Sequence, residues 1–147
     1  MNASALLLTG GARGADIIAA EQARRRGAEV WLLLPEPEES FVESSVRIAG
    51  TDWETRFASL RDSCRVLIQD RELGPRNASD DLYERNNRWL LDVATAQAHP
   101  GRPRALIVWD GKTSDGPGGT DDLVSRARPL VRELVVVEPH TECTDEP

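Results

Sequence analysis

The sequence predicts an α/β fold with a mostly parallel sheet of about five strands between helical layers. Three observations carry this. Short apolar runs alternate with longer segments of helical periodicity along most of the chain. One run, Ala28-Glu29-Val30-Trp31-Leu32-Leu33-Leu34, is almost unbroken in apolar residues, as a strand covered on both faces requires. Two glycine-rich turns each follow an apolar run and lead into a helix-like segment.

At 147 residues the chain is long enough for one domain with a real core. Its 39% hydrophobic and 29% charged residues fit a soluble globular protein. No apolar run reaches membrane-spanning length, and no basic segment followed by a long apolar one opens the chain. A net charge of −7 argues against a broad nucleic-acid surface, but a local site for a small anion is compatible with it. Cys64 and Cys143 have no metal-ligand spacing and point to a reducing, cytoplasmic setting. No metal spacing and no serine–histidine constellation is visible, and His99 and His140 read as surface residues.

In chain order, residues 4–9 read as the first strand and 15–26 as the first helix, with Ile17, Ala20 and Ala23 at helical spacing. Arg24, Arg25 and Arg26 sit in its last turn, where cations suit the dipole, and Gly27 ends it. Residues 28–34 form the second strand, stopped by Pro35 and Pro37; an acidic loop follows through Glu36, Glu38 and Glu39. A short helix through Phe41 and Val46 is possible within residues 40–51. Residues 52–62 read as a helix capped by Asp52, with Trp53, Phe57 and Leu60 sharing a core face. Residues 64–69 are a third strand, followed by a polar loop. Asp80 or Asp81 starts the longest helix, to about residue 98, with Leu82, Trp89, Val93 and Ala96 as its stripe. His99-Pro100-Gly101 breaks it. Residues 103–109 are a fourth strand, 121–129 a last helix with Thr120 as cap, and 133–137 a fifth strand; residues 138–147 are a polar tail.

The first glycine turn, Gly10-Gly11-Ala12-Arg13-Gly14-Ala15-Asp16, organises the reading. Glycines let backbone N–H groups approach a ligand, and the following helix points its own N–H groups at the same spot. Arg13 would clamp an anion there. A tight strand-to-helix turn without a ligand has the same residues. The second turn runs from Asp110 through Gly116, Gly118 and Gly119 to Thr120. Asn86 falls on the apolar stripe of the longest helix and needs a partner, from a ligand or from backbone and water.

With both turns in view, the sequence resembles the SLOG superfamily, a group that includes the LOG-type phosphoribohydrolases and the DNA-processing protein A fold. The residues carrying the resemblance are Gly10-Gly11-Ala12-Arg13-Gly14-Ala15-Asp16, Tyr83-Glu84-Arg85-Asn86-Asn87 and Gly116-Pro117-Gly118-Gly119-Thr120. The run Leu32-Leu33-Leu34-Pro35, Phe41, Ser45-Val46, the stretch Trp53 to Phe57 and Val108-Trp109-Asp110-Gly111 resemble SLOG domains of larger bacterial signalling or repeat proteins. The resemblance spans residues 5 to 137. It implies a Rossmann-like three-layer sandwich over residues 1–137, binding a nucleotide or nucleotide-derived ligand at the C-terminal sheet edge.

Carried over by position, the ligand-binding set is Gly10, Gly11, Arg13, Gly14, Asp16, Asn86, Asp110, Gly118, Gly119 and Thr120. Two features depart from the family. LOG-type enzymes place a glutamate after the glycine–threonine motif, whereas here Asp121 and Asp122 follow Thr120. SLOG domains also usually begin with one more strand–turn–helix unit, and this chain opens at what resembles their second strand, either as a shortened version or as part of a longer protein.

The expected function is therefore that of a ligand sensor or regulatory module, with no cofactor beyond the nucleotide-derived ligand. One alternative is a phosphoribohydrolase-type enzyme with Asp121 or Asp122 as catalytic candidates. The other is an interaction module with a degenerate site. A missing strand leaves a gap that another chain can fill, so a homo-oligomer or a partner chain is expected, with no nucleic acid and no membrane.

Overall fold

The computed structural model describes residues 5–113 and 118–139. Residue 4 of the expected first strand, and Gly116, Pro117, His140 and Cys143, lie outside these residues. The order is β1 (Leu6–Thr9), α1 (Ala15–Arg25), β2 (Glu29–Leu34), α2 (Glu38–Phe41), a π-helical turn (Val42–Val46), α3 (Trp53–Ser63), β3 (Arg65–Ile68), α4 (Gln69–Leu73), α5 (Leu82–Ala98), β4 (Arg104–Val108), α6 (Thr120–Ala127) and β5 (Glu133–Val137).

β2 is the strand around which the first sheet assembles. It lies between β1 and β3, parallel to both. Because strand side chains alternate, its apolar run supplies two cores. Val30, Leu32 and Leu34 meet Ile17 and Ala20 of α1 and Phe57 and Leu60 of α3. Trp31 and Leu33 meet Trp89 of α5 from the other side. This explains why the run is continuous: Leu32, Leu33 and Leu34 all have 0% exposure. Phe57 is core, as its spacing predicts, and Trp53 packs beside it under the guanidinium of Arg56. Glu21 and Arg56 pair across α1 and α3, and this contact holds the Glu21 carboxyl below its ordinary value. Arg24, Arg25 and Arg26 form an exposed helix end.

The expected single sheet of about five strands is corrected. The strands do pair in parallel, but as two sheets, β1-β2-β3 and β4-β5. The second sheet is covered on one face, where Ala105 and Leu134 pack with Leu91 of α5 and with Ala127 and Val131. No ladder joins β1 to β4 among the described residues.

Smaller corrections have local causes. Gln69 opens a short helix instead of ending β3. Asp52 occupies the N-cap position of α3 without a side-chain capping bond, its carboxylate lying 3.8 Å from Arg56. Gly119, not Thr120, stands at the N-cap of α6. Asp81 does cap α5, accepting the N–H groups of Tyr83 and Glu84 at 3.0 and 2.9 Å. Among the described residues no helix is long and apolar enough to cross a membrane.

Truncating Leu33 to alanine leaves a cavity between β2 and α5 and is expected to cost about 2–5 kcal/mol. Leu106→Ala, at a side chain 65% exposed, is expected to change stability by less than about 0.5 kcal/mol. Urea unfolding of both variants checks the contrast.

Candidate functional site

The first turn is built on Gly11, whose φ of 78° favours glycine. That conformation turns the chain over Leu32, Leu34 and Phe57, which lie against the position a β-carbon would take. The turn is braced from both sides. Ala12 N–H donates to Asp16 Oδ2 at 3.2 Å, and Arg13 N–H donates to the Ser45 carbonyl at 3.0 Å. Gly14 is the N-cap of α1, with no side-chain cap. Among the described residues, the N–H groups of Gly14, Ala15 and Asp16 have no acceptor. The positive end of α1 is therefore open beside the turn. The exposed guanidinium of Arg13 has no partner among the described residues.

Asp16 reaches back under this turn. Desolvation by burial pushes its carboxyl above the ordinary value, while the Ala12 N–H and the Thr9 hydroxyl act in the opposite direction. The carboxyl takes the Ala12 N–H and leaves the N–H groups of Gly14, Ala15 and Asp16 without an acceptor among the described residues.

The second turn is fixed to α5. Asn87 Nδ2 donates to the carbonyls of Gly118 and Gly119 at 3.2 and 3.3 Å and to Asp122 Oδ2 at 3.0 Å. Gly118 has φ 79°, and a β-carbon there would come within 2.4 Å of Glu84 N. This glycine is thus required by contact with the first turn of α5. Arg126 completes the join, donating to both Asp122 oxygens at 2.9 and 3.0 Å and to Glu84 at 2.6 Å. Asp122 is held by these partners; Asp121 stands half-buried beside it. Thr120 is the first residue of α6.

Asn86, only 8% exposed, has the partner its position demands from the protein itself. Its Nδ2 donates to the Leu33 carbonyl at 3.1 Å, and its Oδ1 accepts from Gln69 Nε2 at 3.1 Å. Gln69 also donates to the Leu82 carbonyl at 3.1 Å. Asp110 is exposed and accepts the Lys112 N–H at 2.9 Å, shaping its own turn.

A cavity of about 970 Å³ opens between β1 and β4. Of the expected ligand-binding residues, Gly10, Asp16, Asn86, Gly118 and Thr120 line it together. Gly11, Arg13, Gly14, Gly119 and Asp110 do not, nor do Asp121 and Asp122. Sequence reasoning missed two polar side chains, Asn87 and Gln69. Asn87 borders the cavity and carries the second turn. The buried Gln69 orients Asn86. The only sequence signals were a second asparagine beside the first, and a glutamine ending an apolar run. Among the described residues no group of three or more His, Cys, Asp or Glu side chains could hold a metal. In the acidic loop, Glu38 pairs with Arg61 at 2.7 Å.

Gly118→Ala and Gly11→Ala both place a β-carbon at positive φ, at about 1–2 kcal/mol each. Only Gly118→Ala also overlaps the α5 backbone, so it is expected to be clearly the more destabilising in thermal unfolding.

Asp16 predicts a pH signature. Its folded pKa lies above the ordinary 3.8, so the folded state holds the proton more tightly than the unfolded chain. Its contribution is most favourable below 3.8 and declines as pH rises to the raised folded value. Asp16→Asn removes this decline while keeping an acceptor for Ala12. The stability of the variant relative to wild type is expected to grow through that window and then level off. A flat difference in urea melts from acid to neutral pH would contradict this.

Comparison with protein-family models, with curated proteins and with solved structures finds no match to this chain.

Proposed function

We propose that this protein binds a nucleotide or nucleotide-derived ligand where the two glycine turns face each other, and acts as a sensor or regulatory module. The observation that carries this reading is that both turns and Asn86 border one cavity although more than a hundred residues separate Gly10 from Gly118. Three further features support it. The N–H groups opening α1 lack acceptors among the described residues, the guanidinium of Arg13 on the same turn has no partner among those residues, and the half-exposed Tyr83 borders the cavity. A phosphate suits the α1 end, and an aromatic ring suits a base. The resemblance to the SLOG superfamily belongs to the same reading.

The hydrolase alternative draws less support. Both Asp122 oxygens already accept from Arg126, and Asn87 adds a further bond. A carboxylate so engaged serves to hold α6 on α5.

The test is a thermal-shift panel of nucleoside monophosphates, ADP-ribose, its cyclic forms and cyclic nucleotides, on wild type and Arg13→Ala, with the nucleotide then checked by chromatography. A ligand at a hundred times its dissociation constant adds about 2.7 kcal/mol. The expected result is a shift that Arg13→Ala abolishes, with the ligand recovered intact. No shift with any nucleotide, or an equal shift in the variant, would contradict the proposal.

A further inference from the structure

Three polar side chains run in a chain from the end of β2 to the cavity. Glu36 is half-buried two residues past Leu34, the last residue of β2. Ser44 Oγ donates to Glu36 Oε1 at 3.2 Å, and the hydroxyl oxygens of Ser44 and Ser45 lie 3.1 Å apart. Ser45 is half-buried and borders the cavity. Its carbonyl accepts the Arg13 N–H at 3.0 Å, which ties it to the first glycine turn.

The local fold holds Ser45 in place. The π-helical turn is closed by the Arg47 N–H, which donates to the Val42 carbonyl at 2.8 Å. In an α-helix, residues five apart point about 140° away from each other. The wider winding here lets Phe41 and Val46 both enter the core, at 2% and 0% exposure. Ser45 is the neighbour of one of these two anchors. Turns of this kind are frequent at functional sites.

The direction of the hydroxyl protons follows from counting them. A serine hydroxyl donates one hydrogen bond, whereas a carboxylate and a carbonyl only accept. Ser44 Oγ faces two such acceptors, Glu36 Oε1 at 3.2 Å and the Phe41 carbonyl at 3.4 Å, so its one proton is directed to them. The contact between the serines is then satisfied only with Ser45 as donor. With its proton directed to Ser44, Ser45 Oγ has only lone pairs left for a ligand. A phosphate oxygen, itself an acceptor, finds no donor in it. The matching ligand group is a donor.

We infer that Ser45 accepts a hydrogen bond from a ribose hydroxyl of the bound nucleotide, with Glu36 fixing its polarity through Ser44. This rests on the reading of the cavity as a nucleotide site. The open end of α1 suits the phosphate, and Ser45 is tied to the turn that leads into α1. In a nucleotide the group joined to the phosphate is the sugar, whose hydroxyls are donors. In dinucleotide-binding α/β folds an acidic residue about twenty positions past the glycine turn takes the ribose hydroxyl. Glu36 follows Gly14 by twenty-two residues and acts through two serines instead of directly.

Isothermal titration tests this. The probes are AMP, GMP, CMP, UMP and ADP-ribose, each compared with analogues lacking a single ribose hydroxyl. For wild type, one analogue of a binding nucleotide is expected to bind about threefold to tenfold more weakly, as loss of one hydrogen bond requires. Ser45→Ala keeps the carbonyl that holds Arg13 and is expected to bind the nucleotide and that analogue equally. Glu36→Gln places beside Ser44 an amide that donates as well as accepts, and is expected to shrink the difference. Equal binding of the nucleotide and all its analogues by wild type would overturn the inference and leave the nucleotide reading standing. So would a preference that persists undiminished in Ser45→Ala or in Glu36→Gln. Failure of every probe to bind wild type would overturn both.

Discussion

Helix α5 is the constraint on which the molecule depends. The two sheets share no ladder among the described residues, so nothing in their backbone fixes one against the other. α5 does it with side chains. Trp89 seats it on Trp31 and Leu33 of the first sheet, while Leu91 seats it on Ala127 and Val131 beside the second. Polar contacts sharpen what packing leaves loose. Asn87 grips the carbonyls of Gly118 and Gly119, and Arg126 ties Glu84 to Asp122. Such part-buried ion pairs contribute modestly as energy but fix register between helices.

The same helix makes the candidate site possible. Its first two turns carry Tyr83, Asn86 and Asn87 between the glycine turns, and its N-cap Asp81 lies against Gly118. The two turns are unlike in kind. The first is open at the start of α1, with N–H groups lacking acceptors among the described residues. The second is closed down onto α5, its glycine demanded by the closeness of Glu84 N. A glycine-rich turn in sequence therefore stands for two different physical needs, backbone access in one case and close packing in the other. The proposed ligand draws its phosphate contacts mainly from the first turn and its lateral boundaries from the second.

Much of the fold was legible because periodicity reports burial. The run Val30 to Leu34 could only be a strand covered on both faces, and it is. The stripe of α5 located Trp89 and placed Asn86 on the inner face. What stayed illegible was pairing between distant segments. Five apolar runs of the right length imply five strands, but nothing in Leu6–Thr9 or Arg104–Val108 states whether their edges meet. The partner of Asn86 was hidden for the same reason. Gln69 is seventeen residues away and shows its role only once β3 turns directly into α4. Likewise Asp122 is attractive as a helix-start acid until Arg126, one turn on, is seen to occupy it.

The central claim is that the two turns act as one site. Nuclear magnetic resonance titration of the backbone amides with ADP-ribose and nucleoside monophosphates tests it most directly. The account predicts that amides in Gly10–Asp16 and in Gly118–Thr120 shift together, with one dissociation constant for both groups. Shifts confined to one turn, or two unrelated binding curves, would contradict it.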